Sequence, residues 1–135
     1  MRYLTPQDIL VVHSEVIDVT GGSHGIRDIG LLISATERPK SSFGGKELYK
    51  SIFEKAAAYL ESLASHHVFV DGNKRTAITV SARFLFLNGF ELKVSNKELE
   101  YFVLRVVVSK LDIAAIAKWL KGNSRKKQLS KKQHA

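Results

Sequence analysis

The densest run of chemically useful residues in this chain is His67-Val68-Phe69-Val70-Asp71-Gly72-Asn73-Lys74-Arg75-Thr76. Asn73 suits a helix N-cap, yet Lys74 and Arg75 follow it directly. A first turn lies at the positive end of the helix dipole, where acids are preferred and two adjacent cations are destabilising. A bound anion offsets that repulsion, because the free backbone N–H groups at a helix start already favour one. Gly72 lets a ligand approach the backbone. The natural occupant of Gly72, Asn73, Lys74 and Arg75 is therefore a phosphate chain. Asp71 would repel that chain unless a divalent cation stood between them. Mg²⁺ suits the place, since it shares one or two carboxylate oxygens with phosphate oxygens and water. His67 is the group in this run able to take a proton near neutral pH. A base beside a bound nucleotide implies a hydroxyl to activate, which is transfer chemistry. Singly, these residues read as a structural histidine, a solvated Lys-Arg pair and an Asp-Gly-Asn turn. Their compression into ten residues ahead of an apolar helix favours a site.

These residues need a scaffold, and its helices are marked along the chain. Thr5 caps a first helix, with Pro6 at its first position and Asp8 in its first turn. Ile9, Val12, His13, Val16 and Ile17 then recur at helical spacing until Gly21-Gly22 stops the run. Asp28 caps a short helix through Thr36, and Pro39 forbids its continuation. Lys40 to Lys46 reads as a loop, with Gly44-Gly45 beside one exposed aromatic, Phe43. A third helix is expected from about Tyr49 to Ser65. The fourth runs from Asn73 to a stop at Asn88-Gly89, and its apolar residues lie nearly all round, as in the buried axis of a small domain. Phe90 to Val94 is a short strand or an extended link. Ser95 with Glu98 opens a fifth helix as a capping box, and Ser109 with Asp112 opens a sixth that ends at Gly122. The fold class is all-α: six helices around a buried central one, with at most a small hairpin. Val106-Val107-Val108 argues the other way, because β-branched runs favour strands.

Composition narrows the function classes. A chain of 135 residues suits one domain, expected over 1–122. It holds no cysteine, which excludes disulfides, thiolate zinc sites and a cysteine nucleophile. No apolar run approaches the roughly 20 residues of a membrane span, and the first residues lack a secretion signal, so a soluble cytoplasmic protein without a membrane partner is expected. Of the net charge of +8, five cations come from Arg125, Lys126, Lys127, Lys131 and Lys132. Residues 123–135 thus read as a basic, solvated, disordered tail. Without an aromatic residue for stacking, nucleic acid is a disfavoured partner. His66 beside His67 hints at a metal, but no second pair stands at ligand spacing, so zinc is rejected. Phe69, His13 and Trp119 read as core residues.

The run HVFVDGNKRTA resembles the motif of the Fic superfamily, in which His, Phe, an acid and Gly-Asn precede a helix beginning with Arg. The usual form is HPFxxGNGRxxR. Here Lys74 stands at its second glycine and Ile78 at its last arginine, as in the Doc, or death-on-curing, toxins. The likeness extends from Met1 to Phe90, through Thr5-Pro6, His13, Gly21-Gly22, Gly25-Ile26-Arg27-Asp28 and Ala35 to Pro39. It implies a toxin of a type II toxin–antitoxin pair that moves the γ-phosphate of ATP to a protein hydroxyl. The implied target is elongation factor Tu, and the implied partner is a Phd-like antitoxin. By position, His67 is the catalytic base, Asp71 holds Mg²⁺ or orients the acceptor, and Gly72, Asn73, Lys74 and Arg75 meet the phosphates. Phe43, Gly44 and Gly45 fall where such folds carry a target-docking flap. Transfer of AMP, the usual Fic reaction, is the alternative. A nucleic-acid-binding module using the tail is the alternative of another class.

Overall fold

The computed structural model describes residues 1–128. Its helices are α1 (Pro6–Thr20), α2 (Ile29–Glu37), α3 (Ile52–Ser65), α4 (Asn73–Leu87), α5 (Asn96–Val108) and α6 (Ile113–Gly122). A 3₁₀ turn, Arg38–Lys40, follows α2 and carries Pro39. Two small antiparallel pairs complete the fold: β1 (Ser42–Phe43) with β2 (Lys46–Glu47), and β3 (Phe90–Leu92) with β4 (Ser124–Lys126). The protein is all-α, as its sequence implied. No helix among the described residues is long and apolar enough to cross a membrane.

Local chemistry explains most of the boundaries. The Thr5 hydroxyl accepts from Asp8 N–H while the Asp8 carboxylate accepts from Thr5 N–H, a closed capping box. Asp28 caps α2 through Leu31 N–H, and Ser95 caps α5 through Glu98 N–H. Three expectations shift. α3 starts at Ile52 rather than near Tyr49, because Ser51 supplies the cap at 3.0 Å from Glu54 N. Ser109 closes α5 instead of opening α6, whose cap is Asp112, 2.8 Å from Ala115 N. The valine run stays helical, since Val106 completes the inward stripe of Leu99, Phe102 and Val103.

The helix enclosed on most sides is α3, not α4. Ala56, Ala57 and Ala58 are fully buried and let neighbouring backbones come close. α3 packs most extensively on α4, and next on α6. α4 buries Ala77, Val80, Phe84 and Leu85 but leaves Lys74, Arg75, Arg83 and Phe86 exposed. Ser81 Oγ reaches Ala56 O at 3.3 Å across the α3–α4 contact.

The tail also differs from expectation at its start. Ser124–Lys126 pairs with Phe90–Leu92, and flanking bonds from Lys93 N to Asn123 O and from Lys127 N to Gly89 O are each 2.7 Å. β3 has backbone groups that need partners, and this segment supplies them. Lys131 and Lys132 lie outside the described residues.

Candidate active site

The loop between α3 and α4 is fastened on three sides. Residues 25–28 run antiparallel beside it: Val70 N donates to Gly25 O at 3.0 Å, and Arg27 N and Asp28 N both donate to Val68 O. The Arg27 side chain reaches over the same loop, with Nε 2.5 Å from His67 O and Nη2 3.2 Å from His66 O. From below, Val68 and Phe69 are buried, and the Phe69 ring stacks on His13 at 3.7 Å. From α4, the Asn73 side chain accepts from Phe69 N and donates to Phe69 O, both at 2.9 Å.

His67 is what this framework presents. It is exposed, in the left-handed backbone region at φ 52°. Few non-glycine residues adopt that conformation unless their surroundings hold it. Here the holding groups are Arg27 on its carbonyl and the buried Val68-Phe69 pair that follows. The imidazole thus stands in solvent on a rigid mount.

Asp71 is oriented through both its ends. Its backbone oxygen accepts from His13 Nε2 at 2.8 Å, and its carboxylate Oδ2 accepts from Ser23 N at 2.7 Å. With a carbonyl as partner, His13 must carry its proton on Nε2. Burial pushes the His13 pKa below its ordinary value, although the bond to Asp71 O pulls the other way. So His13 is a core histidine, as its place on α1 suggested. Gly22, at φ 110°, leaves little room for a Cβ, which would sit 3.1 Å from that of Asp71.

Gly72 has a structural reason beside the one expected. Its φ is 77°, and a Cβ there would come 2.9 Å from Ile17 Cδ1. The missing side chain leaves room for the Ile17 side chain of α1. Gly72, not Asn73, occupies the N-cap position of α4, and Asn73 is its first helical residue. Because the Asn73 amide is engaged by Phe69, any phosphate contact of Asn73 would come from its backbone N–H.

The two cations of α4 have separate surroundings. The Arg75 guanidinium pairs with Glu100 on α5. Lys74 is exposed and makes no ion pair or hydrogen bond among the described residues. The structure therefore brings His67, Asp71, Gly72, Asn73, Lys74 and Arg75 to one loop–helix junction. It places Phe43, Gly44 and Gly45 apart from them, on the β1–β2 hairpin. That hairpin turns through Gly44 at φ 58° and Gly45 at φ 79°, the two positive values of a type I′ turn, and holds Phe43 82% exposed.

The chain matches the family model described as Fic/DOC family over residues 3–85. It belongs to the Fic/DOC family. Within that family it stands with the Doc proteins. Toxin Doc of Mycolicibacterium smegmatis is 43% identical over 91 residues, 67% of this chain and 68% of that protein. Protein kinase doc of Escherichia phage P1 is 28% identical over 121 residues, 90% of this chain and 94% of that protein. The matched span holds the whole junction and the Phe43 hairpin, so the Fic/DOC core is the part that builds the site.

Sequence reading missed the residues that hold this site without facing solvent. Arg27, Ser23 and Gly22 act through the loop backbone or the Asp71 carboxylate. Gly21-Gly22 and Gly25-Ile26-Arg27-Asp28 carried part of the family likeness, but nothing in the sequence gave them a role at the site. Lys55 on α3, 1% exposed, was missed because lysines in an amphipathic helix are normally solvated.

Proposed function

We propose that this protein is a Doc-type toxin that transfers the γ-phosphate of ATP to a hydroxyl of a target protein. The observation that carries this reading is Lys74: an exposed cation in the first turn of α4, with no acidic partner among the described residues. Arg75 is balanced by Glu100; Lys74 is left for a ligand. At the positive end of a helix dipole, an uncompensated ammonium beside free N–H groups calls for a polyanion.

The roles follow from the junction. His67 accepts the proton of the acceptor hydroxyl as its oxygen attacks the γ-phosphorus. The bond from that phosphorus to the β–γ bridging oxygen breaks, and ADP leaves with the negative charge. Lys74 and the first backbone N–H groups of α4 stabilise the charge on the phosphates, and Arg75 joins them by exchanging Glu100 for phosphate. Asp71 fits a cation brought in with the nucleotide. Its carboxylate is exposed, only Oδ2 is engaged, and one protein carboxylate is enough where phosphates and water complete the shell. Mg²⁺ held by Asp71 would neutralise part of the phosphate charge.

The name of the phage relative, a protein kinase, supports phosphate rather than AMP transfer. So does Lys74 itself, which fills the position where the AMP-transferring Fic pattern has a glycine. The target in this reading is elongation factor Tu, docked on the Phe43-Gly44-Gly45 hairpin. A Phd-like antitoxin restrains the enzyme in the cytoplasm.

The test uses purified elongation factor Tu and ATP labelled at either the γ- or the α-phosphate, with His67→Ala as control. Label from the γ position alone, lost in His67→Ala, is the expected result. Label from the α position would mean AMP transfer. No transfer of either label by folded protein ends the proposal.

A further inference from the structure

A buried charge outside the junction is assigned no part in this chemistry. Lys55 lies on α3 and is 1% exposed, yet its ammonium is bonded to the segment of the β1–β2 hairpin rather than to the core. Its Nζ donates to Glu47 Oε1 at 3.0 Å and to the backbone oxygen of Tyr49. The Tyr3 ring lies 5.9 Å away on another side. Glu47 belongs to β2, and Tyr49 follows the hairpin directly. So both polar partners of a buried lysine are on the hairpin or its stem.

The other leg of the hairpin is held by a second cation that converges on the same tyrosine. Arg38, in the 3₁₀ turn, donates from Nε to Tyr49 Oη at 3.0 Å, and from Nη1 to Glu61 Oε1 at 2.5 Å and Ser62 Oγ at 2.9 Å. Leu48 N closes the base by donating to Ser41 O at 2.9 Å. Entry and exit of the hairpin are thereby tied to α3 at Lys55 on one side and at Glu61 and Ser62 on the other. Glu61 Oε2 also lies 3.6 Å from Nε2 of His66, the neighbour of His67.

We propose that Lys55 is a positioning residue for the acceptor protein: with Arg38 and Tyr49 it clasps the base of the β1–β2 hairpin and so fixes the edge on which the target docks relative to His67. The inference rests on the kinase reading above for the identity of the reaction, though not for the clasp itself. A two-residue strand pair with both strands exposed has almost no packing of its own. Its orientation must come from its base. A buried ammonium suits that task, because leaving it without Glu47 and the Tyr49 carbonyl is costly, which makes the closed arrangement strongly preferred. Lys55 touches neither the nucleotide junction nor His67, so its effect falls on the acceptor and not on ATP.

The experiment compares the full chain with Lys55→Met, which keeps the stem and removes the charge, and with Glu47→Gln, whose site is half-exposed and tolerates change. Amide hydrogen exchange is read first. Exchange at Leu48 and across residues 42–47 should quicken at least roughly tenfold in Lys55→Met and less in Glu47→Gln, while α4 amides stay unchanged. Transfer to elongation factor Tu is read second. KM for that acceptor should rise about tenfold with kcat and MgATP affinity near wild type. Hairpin exchange unaltered in both variants overturns the proposal, as does faster exchange with an unaltered acceptor KM. If Lys55→Met does not fold, Glu47→Gln decides by the same readings. Wild-type protein that transfers nothing to elongation factor Tu defeats the kinase reading instead, and the clasp then stands or falls on exchange alone.

Discussion

Gly72 shows how one position can serve two demands that a sequence does not separate. A glycine before a cationic helix start reads as room for phosphate; here a φ of 77° also favours glycine, and a Cβ would press on the tip of the Ile17 side chain. Gly72→Ala should therefore lower stability by about 1–3 kcal/mol, from left-handed strain and the clash with α1. A urea titration followed by far-UV circular dichroism measures it; an unchanged midpoint would mean that α1 yields freely. His13 leads to a prediction in pH. Burial holds its folded pKa below the ordinary 6.5. The unfolded chain then takes up a proton that the folded protein resists, so the His13 contribution is complete above pH 6.5 and is lost as pH falls through the lowered folded value. The wild-type urea midpoint should drop more than that of His13→Gln between about pH 7.5 and about pH 5.5. Parallel drops in the two proteins would place the titrating group elsewhere.

At the scale of elements, helix starts do most of the placing. Ser109 was the expected opening of α6, with Asp112 three residues on, yet Asp112 is the one that accepts a backbone N–H there. Asp112→Ala should cost about 1 kcal/mol in thermal or chemical denaturation, while Ser109→Ala stays within a few tenths. Equal effects would return the cap to an open question between them. α6 matters to the site only at a distance: Trp119 stacks on Phe102 at 3.8 Å and so holds α5, the helix that brings Glu100 to Arg75. The element nearest the chemistry, α4, begins with two cations. Only one of them has an acid from a neighbouring helix, and that asymmetry is a property of how α4 and α5 pack rather than of α4 alone.

For the molecule as a whole, the β3–β4 pair joins the end of the described chain to the segment following α4. A chain ending at Gln128 keeps β4, and one ending at Gly122 loses it. The shorter form should be less stable than the longer by about 1–2 kcal/mol, the sum of a few cross-strand pairs and their backbone bonds. Their denaturation midpoints compare the two directly, and identical midpoints would make the pair an ornament of the fold. The proposed phosphate transfer should survive in both, because the family match closes at residue 85, well before β4.

What the sequence determined by itself is what nearest neighbours along the chain decide. Thr5 and Asp8, Asp28, Ser95, the Gly44-Gly45 turn and the helical spacing of apolar residues act within a few positions of one another, so their consequences can be read without a fold. The gathering of His67, Asp71 and Lys74 is legible for the same reason, since the loop and the helix start are continuous. Tertiary structure decided the rest. It decided that Asn73 clasps Phe69, that Arg27 and Ser23 hold the loop, and that Glu100 takes Arg75 but not Lys74. It also decided that α3 is the enclosed helix, that Lys55 is buried under the hairpin, and that Ser124–Lys126 becomes a strand. Each of these needs two segments brought together by burial of apolar surface, which is non-directional and leaves no mark at either position in the sequence.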